Sequence, residues 1–189
     1  MTVYFYACAP ICAFAMIKEQ LLQTIREVKD FPKPGILFKD ITPVLQDPDL
    51  CEQVLNELAQ NVPNGVNAIA GIESRGFLFG LPLAMKLGLP FIPIRKAGKL
   101  PYETIAYSYE LEYGHATIEM HADAVLPGQK ILVHDDLLAT GGTACAAAAL
   151  IKQAGAEVAG FSFLVGIMDI GGEKELMKHS SFITILAPC

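Results

Sequence analysis

Two adjacent carboxylates, Asp135 and Asp136, end the apolar run KILVHDD (130–136), and Thr140-Gly141-Gly142-Thr143 follows shortly before an Ala-rich stretch. This order carries specific chemistry. Glycines let a backbone bend so that successive N–H groups converge on an anion, and the N-terminus of the following helix favours negative charge there. Threonine hydroxyls add donors, with Ala139 and Thr140 opening the loop and Thr143 closing it. The loop has no Lys of the GxxxxGK[ST] kind and is not GxGxxG, so neither a triphosphate cradle nor a dinucleotide fingerprint is expected. A neutral cradle of this size suits one terminal phosphate. The acid pair before it suits the 2- and 3-hydroxyls of a ribose, and together they read as a grip for ribose 5-phosphate. An ordinary strand–helix turn with solvated aspartates is the plain alternative, and it leaves the pairing of adjacent acids with TGGT unexplained.

Positive charge is concentrated elsewhere. Arg95, Lys96 and Lys99 form a dense cluster in a chain with 20 acidic and 14 basic side chains, a net charge of −6. Glu73-Ser74-Arg75-Gly76 follows another apolar run and offers backbone amides and a guanidinium, a group suited to forked phosphate contacts. The acidic balance argues against a nucleic-acid binder working through a broad basic face. Four histidines and five cysteines show no metal-ligand spacing, so no protein metal cage is expected and the thiols read as free in a reducing cytoplasm.

These residues need elements to position them. Apolar residues at Ile17, Leu21, Leu22, Ile25 and Val28 predict a helix over 17–28, broken by Pro32 and Pro34-Gly35, with ILFKDIT as a loop. A helix over 48–60 follows Asp47 as N-cap. Strands are expected at 66–72, 89–95 and 130–136, helices at 77–87 and 143–153. Two closing strands, VAGFSFLVGI and FITIL, flank a helix near 173–179. Such alternation with continuous apolar strands predicts an α/β fold with a parallel sheet covered on both faces. Period-two sequence near 105–121 predicts an inserted hairpin. A length of 189 residues with 52% hydrophobic and 18% charged residues excludes disorder, and no apolar run reaches the roughly 20 residues of a membrane span. Residues 1–15, apolar and uncharged, are read as an N-terminal extension outside one domain over 16–189.

VHDDLLATGGT (133–143) resembles the phosphoribosyl diphosphate-binding motif of the type I phosphoribosyltransferases. FPKPGILFKDITPVLQDP (31–48), AGIESRGFLFGLPLA (70–84), IRKAGKLP (94–101) and YELEYG (109–114) resemble segments of that family in the same order. The resemblance implies a parallel-sheet core with a flexible hood, and transfer of phosphoribose from its diphosphate to adenine, giving AMP and diphosphate. It places the diphosphate on Glu73, Ser74 and Arg75, joined by an unusual backbone bond at Glu73–Ser74, and on Arg95, Lys96 and Lys99, partly from a neighbouring subunit of a homodimer. It implies Mg²⁺ held mainly by substrate oxygens, adenine against Leu37, Phe38 and Lys39, and Glu112 as the acid/base group, with Glu103 and Glu110 as rivals. Lys39 stands where the family often has Arg, and His134 where an aliphatic residue is common, so His134 is read as a core residue or one supporting the site from behind rather than a catalyst. Two other readings keep the fold: a 6-oxopurine as the base, or a regulatory module that senses the sugar donor without turnover. The absence of a basic recognition helix disfavours the latter.

Overall fold

The computed structural model describes residues 9–110 and 114–189, with side chains from Met16 onward. Residues up to Glu57 form one compact unit, and Leu58–Cys189 forms a second. In the first, α1 (Ala9–Thr24) is followed by β1 (Arg26–Lys29), β2 (Leu37–Asp40), α2 (Thr42–Leu45) and the start of α3 (Pro48–Gln60). Ile17, Leu21 and Ile25 are buried one turn apart, as the helical spacing requires. The helix stops earlier than its apolar period, because residues 26–29 pair antiparallel with 37–40, Val28 opposite Phe38. ILFKDIT is thus half strand rather than loop: a cross-strand partner overrode the local pattern. Asp47 caps α3, its carboxylate accepting the Leu50 amide at 3.0 Å.

The second unit continues with β3 (Ala68–Ile72), α4 (Gly76–Leu87), β4 (Phe91–Lys96), β5 (Thr104–Glu110), β6 (His115–His121), β7 (Lys130–Leu138), α5 (Gly142–Gln153), β8 (Glu157–Gly166), a short 3₁₀ turn, α6 (Gly172–Leu176) and β9 (Ile183–Pro188). Seven strands form one sheet in the order β5-β6-β4-β3-β7-β8-β9. The five from β4 to β9 run parallel, whereas β5 and β6 add an antiparallel hairpin to the β4 edge. The expected parallel sheet with an inserted hairpin is therefore present. The chain leaves β3 for β4 on one side and later returns to β7 on the other. That reversal opens a crevice beyond the carboxyl ends of β3 and β7, where ligands bind in open α/β sheets.

Core packing reaches the crevice through β7, whose residues Ile131, Leu132, Val133 and His134 are all buried. His134 makes one hydrogen bond, Nδ1 to the Ser162 hydroxyl at 3.3 Å, and burial pulls its pKa down to about 4. Between pH 6.5 and 4 the unfolded chain therefore binds a proton here that the folded chain does not. Stability from this site is complete above pH 6.5 and falls as pH drops through 4, by about 3 kcal/mol in all. Urea unfolding at stepped pH is expected to show His134→Gln with a flatter acid limb than the wild type over that window. An identical slope in both proteins would assign the acid loss to other groups.

Candidate active site

The loop after β7 has the form its composition implies. Gly141, with φ of 81°, is the N-cap of α5 and turns the chain so that the helix N-terminus faces the loop. A cavity of about 100 Å³ lies in this loop, lined by Ala139, Thr140, Gly141, Gly142 and Thr143 together with Asp135. A distant segment presses against the loop's backbone: a β-carbon on Gly172 would stand 2.0 Å from the Ala139 carbonyl oxygen. Only a glycine at 172 permits this approach.

The two aspartates are separated by the strand's alternation. Asp135 lines the small cavity and also a larger one of about 470 Å³. Asp136 is buried, with Oδ2 3.1 Å from Arg75 Nε, so Arg75 closes the turn after β3 against the strand that carries the acid pair. The Asp136 amide donates to Asp135 Oδ1 at 2.9 Å. Burial raises both carboxyl pKa values. For Asp135 repulsion from Asp136 adds to the rise, and for Asp136 the Arg75 charge opposes it.

The larger cavity joins the acid side to the basic cluster, with Glu73, Arg95, Lys96, Asp135 and Thr143 among its lining. Glu73 is engaged by that cluster: Lys99 Nζ lies 2.7 Å from Oε1, Arg95 Nε 3.3 Å from Oε2, and the Lys96 amide donates to Oε2 at 3.0 Å. The Lys99 hydrogen bond is the largest influence on Glu73, which stays ionised down to a pKa of about 2 despite its burial. The Glu73–Ser74 peptide is cis, the unusual bond that the family resemblance implies. Ser74 is exposed in the same turn.

A residue not singled out by sequence, Glu119 on β6, holds the basic loop in place. Its Oε1 accepts the amides of Lys99 and Leu100, both at 3.0 Å. Burial pushes its pKa up, but the amides of Leu100, Gly98 and Lys99 and the Thr104 hydroxyl outweigh that and leave it lowered. Glu119 pairs in register with Arg95, so the hairpin docks on β4 where the cations emerge. A carboxylate opposite a basic run in a two-strand register was the available signal. It becomes readable only once the β4–β6 pairing is known.

The hairpin also reaches the glycine–threonine loop. Tyr109 Oη lies 3.0 Å from Thr143 Oγ1, tying β5 to the last hydroxyl of TGGT. Glu112 lies outside the described residues; in sequence it falls between Glu110 and His115, which face each other at the hairpin's end. Leu37, Phe38 and Lys39 belong to the first unit. Leu37 is 41% exposed, Phe38 meets Phe31 edge-to-face with centroids 5.1 Å apart, and Lys39 pairs across the strands with Glu27. Among the described residues, no group of three or more His, Cys, Asp or Glu side chains is placed to hold a metal ion.

In sequence and fold the chain is similar to known proteins. A phosphoribosyl transferase domain model matches residues 44–185. The chain is 49% identical over 172 residues to an adenine phosphoribosyltransferase of Cytophaga hutchinsonii, covering 90% of this chain and 95% of that one. An adenine phosphoribosyltransferase structure from Rhodothermus marinus matches with a TM-score of 0.87 at 48% identity, covering 93% of this chain and 99% of the other. The Saccharomyces cerevisiae adenine phosphoribosyltransferase, solved with adenine and D-2,5-dideoxy-2,5-imino-altritol 1,6-bisphosphate, gives 0.84 at 35% identity, with 91% and 99% covered. A crevice at the sheet's reversal, a glycine–threonine loop at a helix N-terminus and this degree of likeness lead to one conclusion: the chain belongs to the phosphoribosyltransferase family, alongside the adenine phosphoribosyltransferases.

Proposed function

We propose that this chain transfers phosphoribose from 5-phosphoribosyl 1-diphosphate to adenine, yielding AMP and diphosphate, a purine-salvage reaction. One observation carries the reading: the anion loop's cavity and the larger cavity share Asp135 and Thr143, with Arg95 and Lys96 of the cationic cluster lining the larger one. A sugar phosphate seated in the loop would thus direct its C1 substituent toward Arg95 and Lys96.

In this reading the amides of residues 139–143 hold the 5-phosphate, and Asp135 accepts from the ribose hydroxyls. Adenine N9 forms its bond to C1 while the C1–oxygen bond to diphosphate breaks and its electron pair leaves with the diphosphate. The N9 proton passes to a carboxylate, for which Glu112 is the candidate, and positive charge on the sugar at the transition state is favoured by the same group. Hood closure keeps water from the activated sugar. Leu37 and Phe38 supply apolar surface of the kind that adenine recognition needs.

Mg²⁺ fits as an ion that arrives on the diphosphate. Among the described residues, the carboxylates lining the larger cavity are Asp135 and Glu73, and Glu73 is engaged by Arg95 and Lys99. Asp135, with the ion's retained waters, would hold it, and the ion would neutralise the leaving diphosphate. A homodimer is supported by Leu78, Leu81 and Met85, which leave an apolar stripe exposed along α4 at 43%, 46% and 72%, just after the Glu73–Arg75 turn. Free thiols at Cys51, Cys145 and Cys189 suit a reducing cytoplasm.

Competition of adenine, hypoxanthine, guanine and xanthine for labelled sugar donor tests the reading, with adenine expected to be consumed first. Preference for a 6-oxopurine removes the assignment. Asp135→Asn with Asp136→Asn is expected to weaken sugar-donor binding, and Asp135→Asn alone to account for most of the loss, since it is the member that lines the cavity. A dissociation constant unaltered by the double change, measured by calorimetry, counts against the ribose grip.

A further inference from the structure

We propose that Glu73 competes with the diphosphate for Arg95 and Lys99, and thereby sets how tightly diphosphate is held and how readily it leaves. This rests on the reading of that cluster as the diphosphate site. The carboxylate makes the contacts that a phosphate's oxygens would make. One oxygen lies 2.7 Å from Lys99 Nζ and 3.5 Å from an Arg95 terminal nitrogen, and the other meets Arg95 Nε at 3.3 Å and the Lys96 amide at 3.0 Å.

Exposure differs between the partners. The Glu73 side chain is 10% exposed, whereas those of Arg95 and Lys99 are 32% and 48% exposed. The cations can turn outward while Glu73 stays. Their backbone need not follow, because Glu119 pins the Lys99 and Leu100 amides. An incoming diphosphate must therefore draw two cations away from a fixed negative charge and then remain beside it. Each effect lowers affinity for the anion that has to depart after every turnover. Glu73 stays ionised down to about pH 2, so the competition is constant over any working pH.

Binding of inorganic diphosphate with Mg²⁺, measured by calorimetry on the full chain, tests this. Glu73→Gln keeps the shape and removes the charge, and is expected to lower the dissociation constant about tenfold or more, since it removes a like charge held against the anion. The AMP dissociation constant is expected to hold, because the phosphate loop is untouched. Glu73→Asp, which withdraws the carboxylate from Lys99, is expected to fall between the two and serves if the glutamine variant does not fold. Unchanged or weaker diphosphate binding in both variants overturns the proposal, and Glu73 then merely orders the cations. Arg95→Met with Lys99→Met separates the underlying reading. Loss of diphosphate binding there supports the site, whatever Glu73 does. Wild-type binding there removes the site, and the proposal with it.

Discussion

Glu112→Ala is expected to lower turnover by about 10²–10⁴-fold, the span of a lost general acid–base, with sugar-donor binding close to its starting value. The proton that leaves N9 needs an acceptor near the base, and the hood is the segment whose sequence offers carboxylates there. Of its acids, Glu110 is unsuited: its side chain is 88% exposed, with His115 Nε2 4.0 Å away. Glu119 is committed to the Lys99 and Leu100 amides. Glu110→Ala is therefore the matched control, expected to retain wild-type turnover. Pre-steady-state formation of AMP separates the chemical step from release. An Ala variant at 112 with full turnover returns the role to Glu103 or to solvent.

Gly172→Ala is expected to weaken both AMP and sugar-donor binding by about 10²-fold, the loss that a displacement of roughly 1 Å produces at a positioned site. An added β-carbon 2.0 Å from the Ala139 carbonyl oxygen cannot be accommodated by a rotamer change, because the obstacle is backbone. The loop must move, and the amides proposed to cradle the phosphate move with it. Inside the loop, Gly142 is less constrained by the protein itself, since its nearest neighbour to an added β-carbon is the Thr140 hydroxyl at 3.9 Å. Calorimetry with AMP and with adenosine separates the effects. The loss is expected for AMP alone, and equal loss for both would mean that the fold, rather than the phosphate cradle, is damaged.

What the sequence determined by itself is the part written in neighbouring residues. Continuous apolar runs placed the parallel strands, period-two spacing the hairpin and period-3.6 spacing the first helix, and the acid pair before TGGT pointed to a candidate anion loop with sugar chemistry beside it. Those signals act within one turn of helix or one strand, so they survive without the fold. Tertiary structure decided everything that depends on register and close approach. It ended α1 at Thr24 by pairing residues 26–29 with 37–40, and it turned Asp135 to the cavity while burying Asp136 against Arg75. It set Glu73 and Glu119 around a cationic loop, and pressed Gly172 onto Ala139. Each of these joins residues separated along the chain, and such contacts follow from how strands pair and loops meet. No local pattern encodes them.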